Sequence, residues 1–342
     1  MTSQYPATLT LADGSTWCIA PGDRQAAGTL SWLVDAMQLK PYHTSPAVKQ
    51  TPMELATAYD TNGHDLTESV QQSPGSCLIV SFDNRIIHLQ RVDGDPEDLA
   101  GYLQPNGSAQ PDPSPLAFAR AFWPAIRDGL TVCVLKSSTD SANYPLQLFS
   151  IAHVIAQEVE LSGGLLLHGA LAERDGCGVI LAGHGGVGKT TASLRLPSPW
   201  HSLCDDTTLV VPDSQGNYWA HPWPTWSGFI MDRTIRSWDV HQAVPLRSLF
   251  FLSQAQEDRV DPLTSIQAFP LLAESVTQAA GSLICHMDKR ESRIRNSKRF
   301  DNICTLAKKL PIFRLSLSRT GSFWHHIEQA GSQGEEEFWT RK

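Results

Sequence analysis

The sequence predicts an α/β protein in which a larger core follows a smaller α+β region. Three observations predict it. From Leu146 onward, strand-like and helix-like segments alternate. A Gly-rich loop, Gly183–Thr190, sits between an apolar run and a helix-like segment. Between the two regions the chain turns to Pro, Gly, Ser and Asp, from Gln104 to Pro115, as a linker or long surface loop does. The division this predicts is an N-terminal α+β domain over residues 1–110 and an α/β domain over residues 111–342.

Taken in order, Thr8–Ile19 alternates apolar and polar residues around Asp13-Gly14, a hairpin pattern. Gly28–Leu39 has helical spacing at Leu30, Leu33, Val34 and Met37. Cys77–Phe82 and Arg85–Gln90 flank Asp83-Asn84 and read as a second hairpin. In the larger region, Leu146–Leu161 is apolar at helical spacing. Leu165–His168 and Val179–Ala182 are short apolar runs joined by a turn over Glu173–Gly178. A short helix is predicted from Thr190, and strands at Leu209–Val211 and Leu249–Leu252. Helices follow over Thr264–Ala280 and Phe300–Lys309, then a strand over Ile312–Leu317 and a helix over Ser322–Gln329.

Composition narrows the function classes. The chain has 342 residues, 41% of them hydrophobic and 18% charged, which is the composition of a globular protein. Its formal net charge of -8 argues against a general nucleic-acid or membrane-surface binder. No apolar run reaches the roughly 18–20 residues of a membrane span. The start, Met1–Pro6, has neither the basic flank nor the apolar stretch of a signal peptide. The seven cysteines are scattered, without a Cys-x-x-Cys pair, as free thiols of a reducing cytoplasm would be. The expected location is therefore cytoplasmic.

Gly183-His-Gly-Gly-Val-Gly-Lys-Thr190 fits G-x-x-x-x-G-K-[ST] at every fixed position. Glycines let the backbone wrap so that successive N–H groups converge on phosphate oxygens. The expected nucleotide contacts are Gly183, Gly185, Gly186, Val187, Gly188, Lys189, Thr190 and Thr191. Lys189 would neutralise phosphate charge, and the Thr190 hydroxyl would bind Mg²⁺. Downstream, Asp205-Asp206 precedes a strand. Paired acids in a phosphoryl-transfer site suit two jobs, one taking a hydroxyl proton and the other holding Mg²⁺; by itself the pair also reads as a solvated turn.

Three blocks together resemble the HPr serine kinase/phosphorylase family. They are Leu166–Leu171 with its His168-Gly169, Gly178–Thr190, and Leu203–Val210 with Asp205-Asp206. The resemblance implies a core of the HPr kinase/phosphoenolpyruvate carboxykinase type, with ATP and Mg²⁺ as cofactors. It implies that Asp205 is the general base, that Asp206 lies near the metal, and that His168 is an orienting or polarising group. Further blocks, among them Pro245–Leu252, Leu310–Leu315 and Ser322–Trp324, are similar to HPr-kinase-related proteins of peptide-modification gene clusters. The function expected on this resemblance is an ATP- and Mg²⁺-dependent kinase acting on a Ser or Thr hydroxyl of a peptide or protein from a neighbouring gene. The rival expectations are a nucleotide-binding protein that presents a peptide to another enzyme, and a small-molecule kinase. An oligomer is compatible with either.

Where bifunctional HPr kinase/phosphorylases carry a Gly-rich signature, this chain has His221-Pro-Trp-Pro-Thr-Trp226. The resemblance therefore does not extend to phosphorylase activity, to HPr as substrate or to a hexamer. The Pro-Trp segment reads either as flat apolar walls for a ligand or as a rigid core edge. The basic segment Lys289–Arg299 reads either as a loop that steers anions or as a solvated helix start. Arg259 reads as a phosphate contact or as a surface ion pair.

Overall fold

The computed structural model describes residues 6–22, 24–42, 76–83, 85–93, 120–127, 130–137, 144–225, 237–280, 284–287 and 289–339. The first elements are β1 (Ala7–Thr10), β2 (Thr16–Pro21), α1 (Arg24–Met37), β3 (Lys40–Pro41), β4 (Ser76–Asp83) and β5 (Ile86–Asp93). Then come β6 (Arg120–Arg127), β7 (Leu130–Ser137), α2 (Tyr144–Leu161), β8 (Leu165–Arg174), β9 (Cys177–Ala182) and α3 (Lys189–Arg195). The chain continues through β10 (His201–Cys204), β11 (Thr207–Pro212), β12 (Tyr218–Pro222), β13 (Val244–Gln254) and β14 (Arg259–Pro262). It ends with α4 (Ser265–Ala280), β15 (Ile284–Met287), α5 (Lys289–Lys309), β16 (Ile312–Leu317) and α6 (Trp324–Trp339).

Two mixed sheets result. The first has the order β15-β6-β7-β4-β5-β2-β1-β3. Both predicted N-terminal hairpins are in it: β1 pairs β2 and β4 pairs β5, antiparallel in each case. The Gln104–Pro115 stretch lies outside the described residues. Strands β6 and β7, and β15 from far down the chain, belong to the same sheet as the N-terminal strands.

The second sheet has the order β10-β8-β11-β12-β13-β16-β14, and β9 pairs both β8 and β13. Its parallel part is β9, β13 and β16; the other pairings are antiparallel. The pairings β8-β11-β12-β13-β9-β8 form a closed circuit. Strand β8 makes this possible by pairing with both: Leu165–His168 pair with β11, in a register that continues into β10 at Leu171–Glu173, and Gly169–Arg174 pair with β9. The turn from β8 to β9 is Asp175-Gly176, both left-handed at φ 53° and 76°, as a two-residue hairpin requires.

Apolar burial ties the two sheets together. One continuous core contains Leu9, Ile19 and Ile87 from the first sheet and Leu167, Leu209 and Leu249 from the second. Ile151 and Ile155 of α2, Leu272 and Val276 of α4, and Leu306 of α5 complete it. A second cluster joins Leu181, Phe250 and Leu315 to Ala192 of α3 and Ile327 of α6. Polar links cross between the sheets as well. The His221 ring, 1% exposed, accepts the Ala12 N–H at Nε2 (3.2 Å) and donates from Nδ1 to the Val240 carbonyl (2.7 Å). Both nitrogens are thus engaged, which fixes the neutral tautomer.

The basic segment 289–299 is not a loop but a helix start with a largely exposed surface, as one of its two readings had it, and part of it is also buried. It is the first half of α5, and two of its arginines close on the last turns of α2. Arg295, 4% exposed, pairs with Glu158 at 2.6 Å and with Glu291, and donates to the Gln157 carbonyl at 3.3 Å. Arg299 reaches Glu160 at 2.8 Å, and Asn302 donates to the Glu160 and Gly164 carbonyls. Glu158 and Glu160 stand at the carboxyl end of α2, where carbonyls also gather. The basic residues answer both. Arg259 lies at the surface and pairs with Asp261 at 2.8 Å. Among the described residues, no helix is long and apolar enough to cross a membrane.

One buried group gives the fold a pH dependence. His153 of α2 is 1% exposed, with Nδ1 3.0 Å from the Phe149 carbonyl and Nε2 2.8 Å from the Ala279 carbonyl. Burial pushes its pKa down to about 4, against the smaller upward pull of those two carbonyls. The unfolded chain binds this proton near pH 6.5, so stability is complete above that value and is lost as pH falls toward 4. Between pH 7 and pH 5 this one group is expected to remove about 2 kcal/mol. Urea unfolding at the two pH values checks this. In His153→Gln the difference is expected to shrink by that amount.

Candidate active site

The site forms where the β8–β9 ladder begins. His168 is the last residue paired with β11 and Gly169 the first paired with β9. The glycine is required by packing. A Cβ at Gly169 would stand 2.6 Å from Ile180 Cγ2 and 3.3 Å from the Leu181 carbonyl oxygen. Both backbone carbonyls are held by side chains: Ser275 of α4 donates to His168 O (3.2 Å) and Thr208 to Gly169 O (2.9 Å).

The Gly-rich loop leaves β9 beside this point and opens α3, as predicted. Gly186 and Gly188 adopt φ of 77° and 107°, a left-handed backbone that glycine reaches without strain. Gly185, Gly186, Thr190 and Thr191 are exposed, whereas Val187 is packed into the second core cluster. Lys189 is only 6% exposed. Its ammonium donates to the carbonyls of Gly183 (2.9 Å) and His184 (3.3 Å), so it is folded back over the loop. Burial lowers its pKa, and the charge of Asp206 pulls it back up.

Asp205 and Asp206 form the bend between β10 and β11. Register carries through them without a slip, from Cys204 opposite Leu171 to Thr207 opposite His168. Asp206 Oδ1 lies 3.2 Å from His168 Nδ1, with both side chains 18% exposed. The ring nitrogen facing a carboxylate carries the proton and donates it. Burial lowers the His168 pKa, Asp206 opposes that, and Lys189 adds to it. His168 and Asp206 are thus in contact, and Lys189 lies within electrostatic reach of both. Asp205 is half-buried in the same bend, and its charge adds to the burial that pushes the neighbouring Cys204 thiol up to about 11. Cys204 donates to the Thr207 carbonyl at 3.0 Å, so it is a packed thiol and no nucleophile.

One member of the cluster is not foreseen from sequence. Thr225 Oγ1 donates to Asp206 Oδ2 at 2.7 Å. It arrives on the Pro-Trp segment, whose described part is a rigid core edge. Trp223 is fully buried, and its indole N–H donates to the Ala152 carbonyl at 3.1 Å. Trp226 lies outside the described residues.

The donors suit a hard cation. Asp206 and the Thr190 hydroxyl are oxygen donors, and the Cys204 thiol is bonded to the Thr207 carbonyl. Mg²⁺ is commonly held by one or two carboxylates, phosphate oxygens and water. Among the described residues no group of three His, Cys, Asp or Glu side chains is arranged around a metal ion.

The family model described as SynChlorMet cassette protein ScmC matches residues 131–331, more than half of the chain and all of the site. No curated protein matches the chain.

Proposed function

The chain belongs to the SynChlorMet cassette protein ScmC family, and from that premise we propose that it is an ATP- and Mg²⁺-dependent kinase with a core of the HPr-kinase type. Its acceptor is the Ser or Thr hydroxyl of a peptide or protein encoded nearby. The observation that carries the reading is the meeting of His168, Lys189 and Asp206 beside a G-x-x-x-x-G-K-T loop with left-handed glycines. A nucleotide-binding fold alone needs the loop. A histidine and a carboxylate held in the field of the loop lysine are what transfer chemistry adds.

In this reading the loop N–H groups and Lys189 hold phosphates, while Thr190 and Asp206 hold Mg²⁺. The metal supplies charge neutralisation on the transferred group. Asp205 takes the proton of the acceptor hydroxyl as its oxygen bonds to phosphorus and the bond to the ADP oxygen breaks. His168 keeps Asp206 in place through Nδ1. Lys189 counters the charge that develops on the phosphoryl oxygens.

The test is mass spectrometry of peptides encoded beside the gene after incubation with protein, Mg²⁺ and ATP. A gain of one phosphate on a peptide is expected. Phosphate released only to water would favour a presenting protein, and phosphate on a free amino acid or sugar a small-molecule kinase. With a peptide acceptor in hand, Asp205→Asn is expected to slow transfer roughly 10²–10⁴-fold with nucleotide affinity unchanged. Wild-type transfer in that variant would remove Asp205 from the base role.

A further inference from the structure

We infer that Thr225 is a positioning residue of this site: its hydroxyl fixes the Asp206 carboxylate in the orientation that meets a divalent cation. The inference rests on the nucleotide–metal reading above. Asp206 is held at both oxygens, Oδ1 by His168 Nδ1 at 3.2 Å and Oδ2 by Thr225 Oγ1 at 2.7 Å. Carboxylate rotation is otherwise broad and roughly two-fold, so one contact leaves it free to turn and two do not. Each oxygen retains capacity for a second partner, which is where a cation binds.

The second holding point matters because of what surrounds Asp206. Lys189 is close enough to feel its charge, yet the ammonium donates to Gly183 and His184 carbonyls instead. A carboxylate released from Thr225 loses one of the two contacts that set its orientation beside that charge.

Thr225 is also delivered rigidly. It is 6% exposed and sits three residues beyond the end of β12. His221 is fastened at both ring nitrogens, and Trp223 at its backbone N–H (3.2 Å to Thr207 O) and its indole. Pro222 and Pro224 fix their own φ and offer no N–H to continue the ladder. Such partners of a metal ligand typically contribute 10–100-fold to metal affinity.

The experiment is thermal unfolding of the full chain at fixed ADP, titrated with Mg²⁺, and again with ADP and EDTA. In Thr225→Val the Mg²⁺ concentration for half-maximal stabilisation is expected to rise about tenfold. Thr225→Ser, which restores the hydroxyl, is expected within about twofold of wild type, and the ADP–EDTA response to be equal in all three. An unchanged Mg²⁺ midpoint in the valine variant overturns the inference. Equal loss of the ADP–EDTA response overturns it too, since that marks a general structural role. If the valine variant does not fold, Thr225→Ala carries the same expectations. Should wild type show no Mg²⁺-dependent response to ADP, the nucleotide–metal reading itself fails. A wild-type response with an unaltered variant removes Thr225 alone.

Discussion

Replacing Lys189 by methionine is expected to abolish nucleotide-dependent stabilisation and to lower transfer about 10²–10³-fold or more, while the protein still folds. The two effects separate because of how the side chain is placed. Its ammonium is buried against two loop carbonyls and lies in the field of Asp206. For the resting fold that arrangement is close to neutral, because burying the charge offsets what its hydrogen bonds return. Methionine fills a similar volume without the charge, and of the two residues whose carbonyls it leaves, Gly183 is half-buried and His184 exposed. Stability without nucleotide is expected within about 1 kcal/mol of wild type. Phosphate contact is another matter, since no other cation of the described loop is placed there. Thermal unfolding with and without Mg²⁺–ADP checks the binding half, and peptide phosphorylation the catalytic half. A methionine variant that is stabilised by nucleotide as wild type is would show that the loop does not bind phosphate through Lys189.

Trp223→Ala is expected to cost about 3–5 kcal/mol of stability. The indole is fully buried within the core shared by both sheets. Its loss leaves a large cavity and removes the indole N–H bond to the Ala152 carbonyl. Trp223→Phe keeps most of the volume and is expected to cost about 1 kcal/mol for the missing hydrogen bond, plus a smaller packing term. Urea midpoints of the three proteins provide the comparison. A loss under about 1 kcal/mol in the alanine variant would contradict the burial of the ring.

Much of the site is legible in the sequence because its parts are local patterns. The loop is eight consecutive residues with fixed chemistry, and the strand before it and helix after it follow from short-range spacing. His168-Gly169 and Asp205-Asp206 are also readable as pairs. What places them together is not local. It is the pairing of β8 with both β9 and β11 and an unbroken register across the Asp-Asp bend. Thr225 is 19 residues from Asp206, and nothing in the threonine itself distinguishes it. It becomes a partner only because β12 pairs with β11 and carries the chain back past the bend.

The unforeseen strands have equally concrete reasons. Strand β6 contains Pro124, which reads as a breaker, and the β6–β7 register does shift between Phe122 and Ala125. Strands β10 and β14 are four residues each and partly polar, so they carry little periodic signal. The basic segment is plain in the sequence as charge, but its acidic partners lie about 140 residues earlier, on α2. Pairing over that distance is a property of the fold, so the segment could be read only as solvated or as anion-seeking.

Strand β15 sets an order on biosynthesis. It is residues 284–287, yet its place is at the β6 edge of the sheet that the first 137 residues otherwise provide. A nascent chain can assemble the rest of that sheet while the ribosome is still translating the loop and the acidic pair. Its β6 edge then stays open to pairing with other chains until residue 287 has emerged. Fragments stopped short of that point carry the open edge permanently.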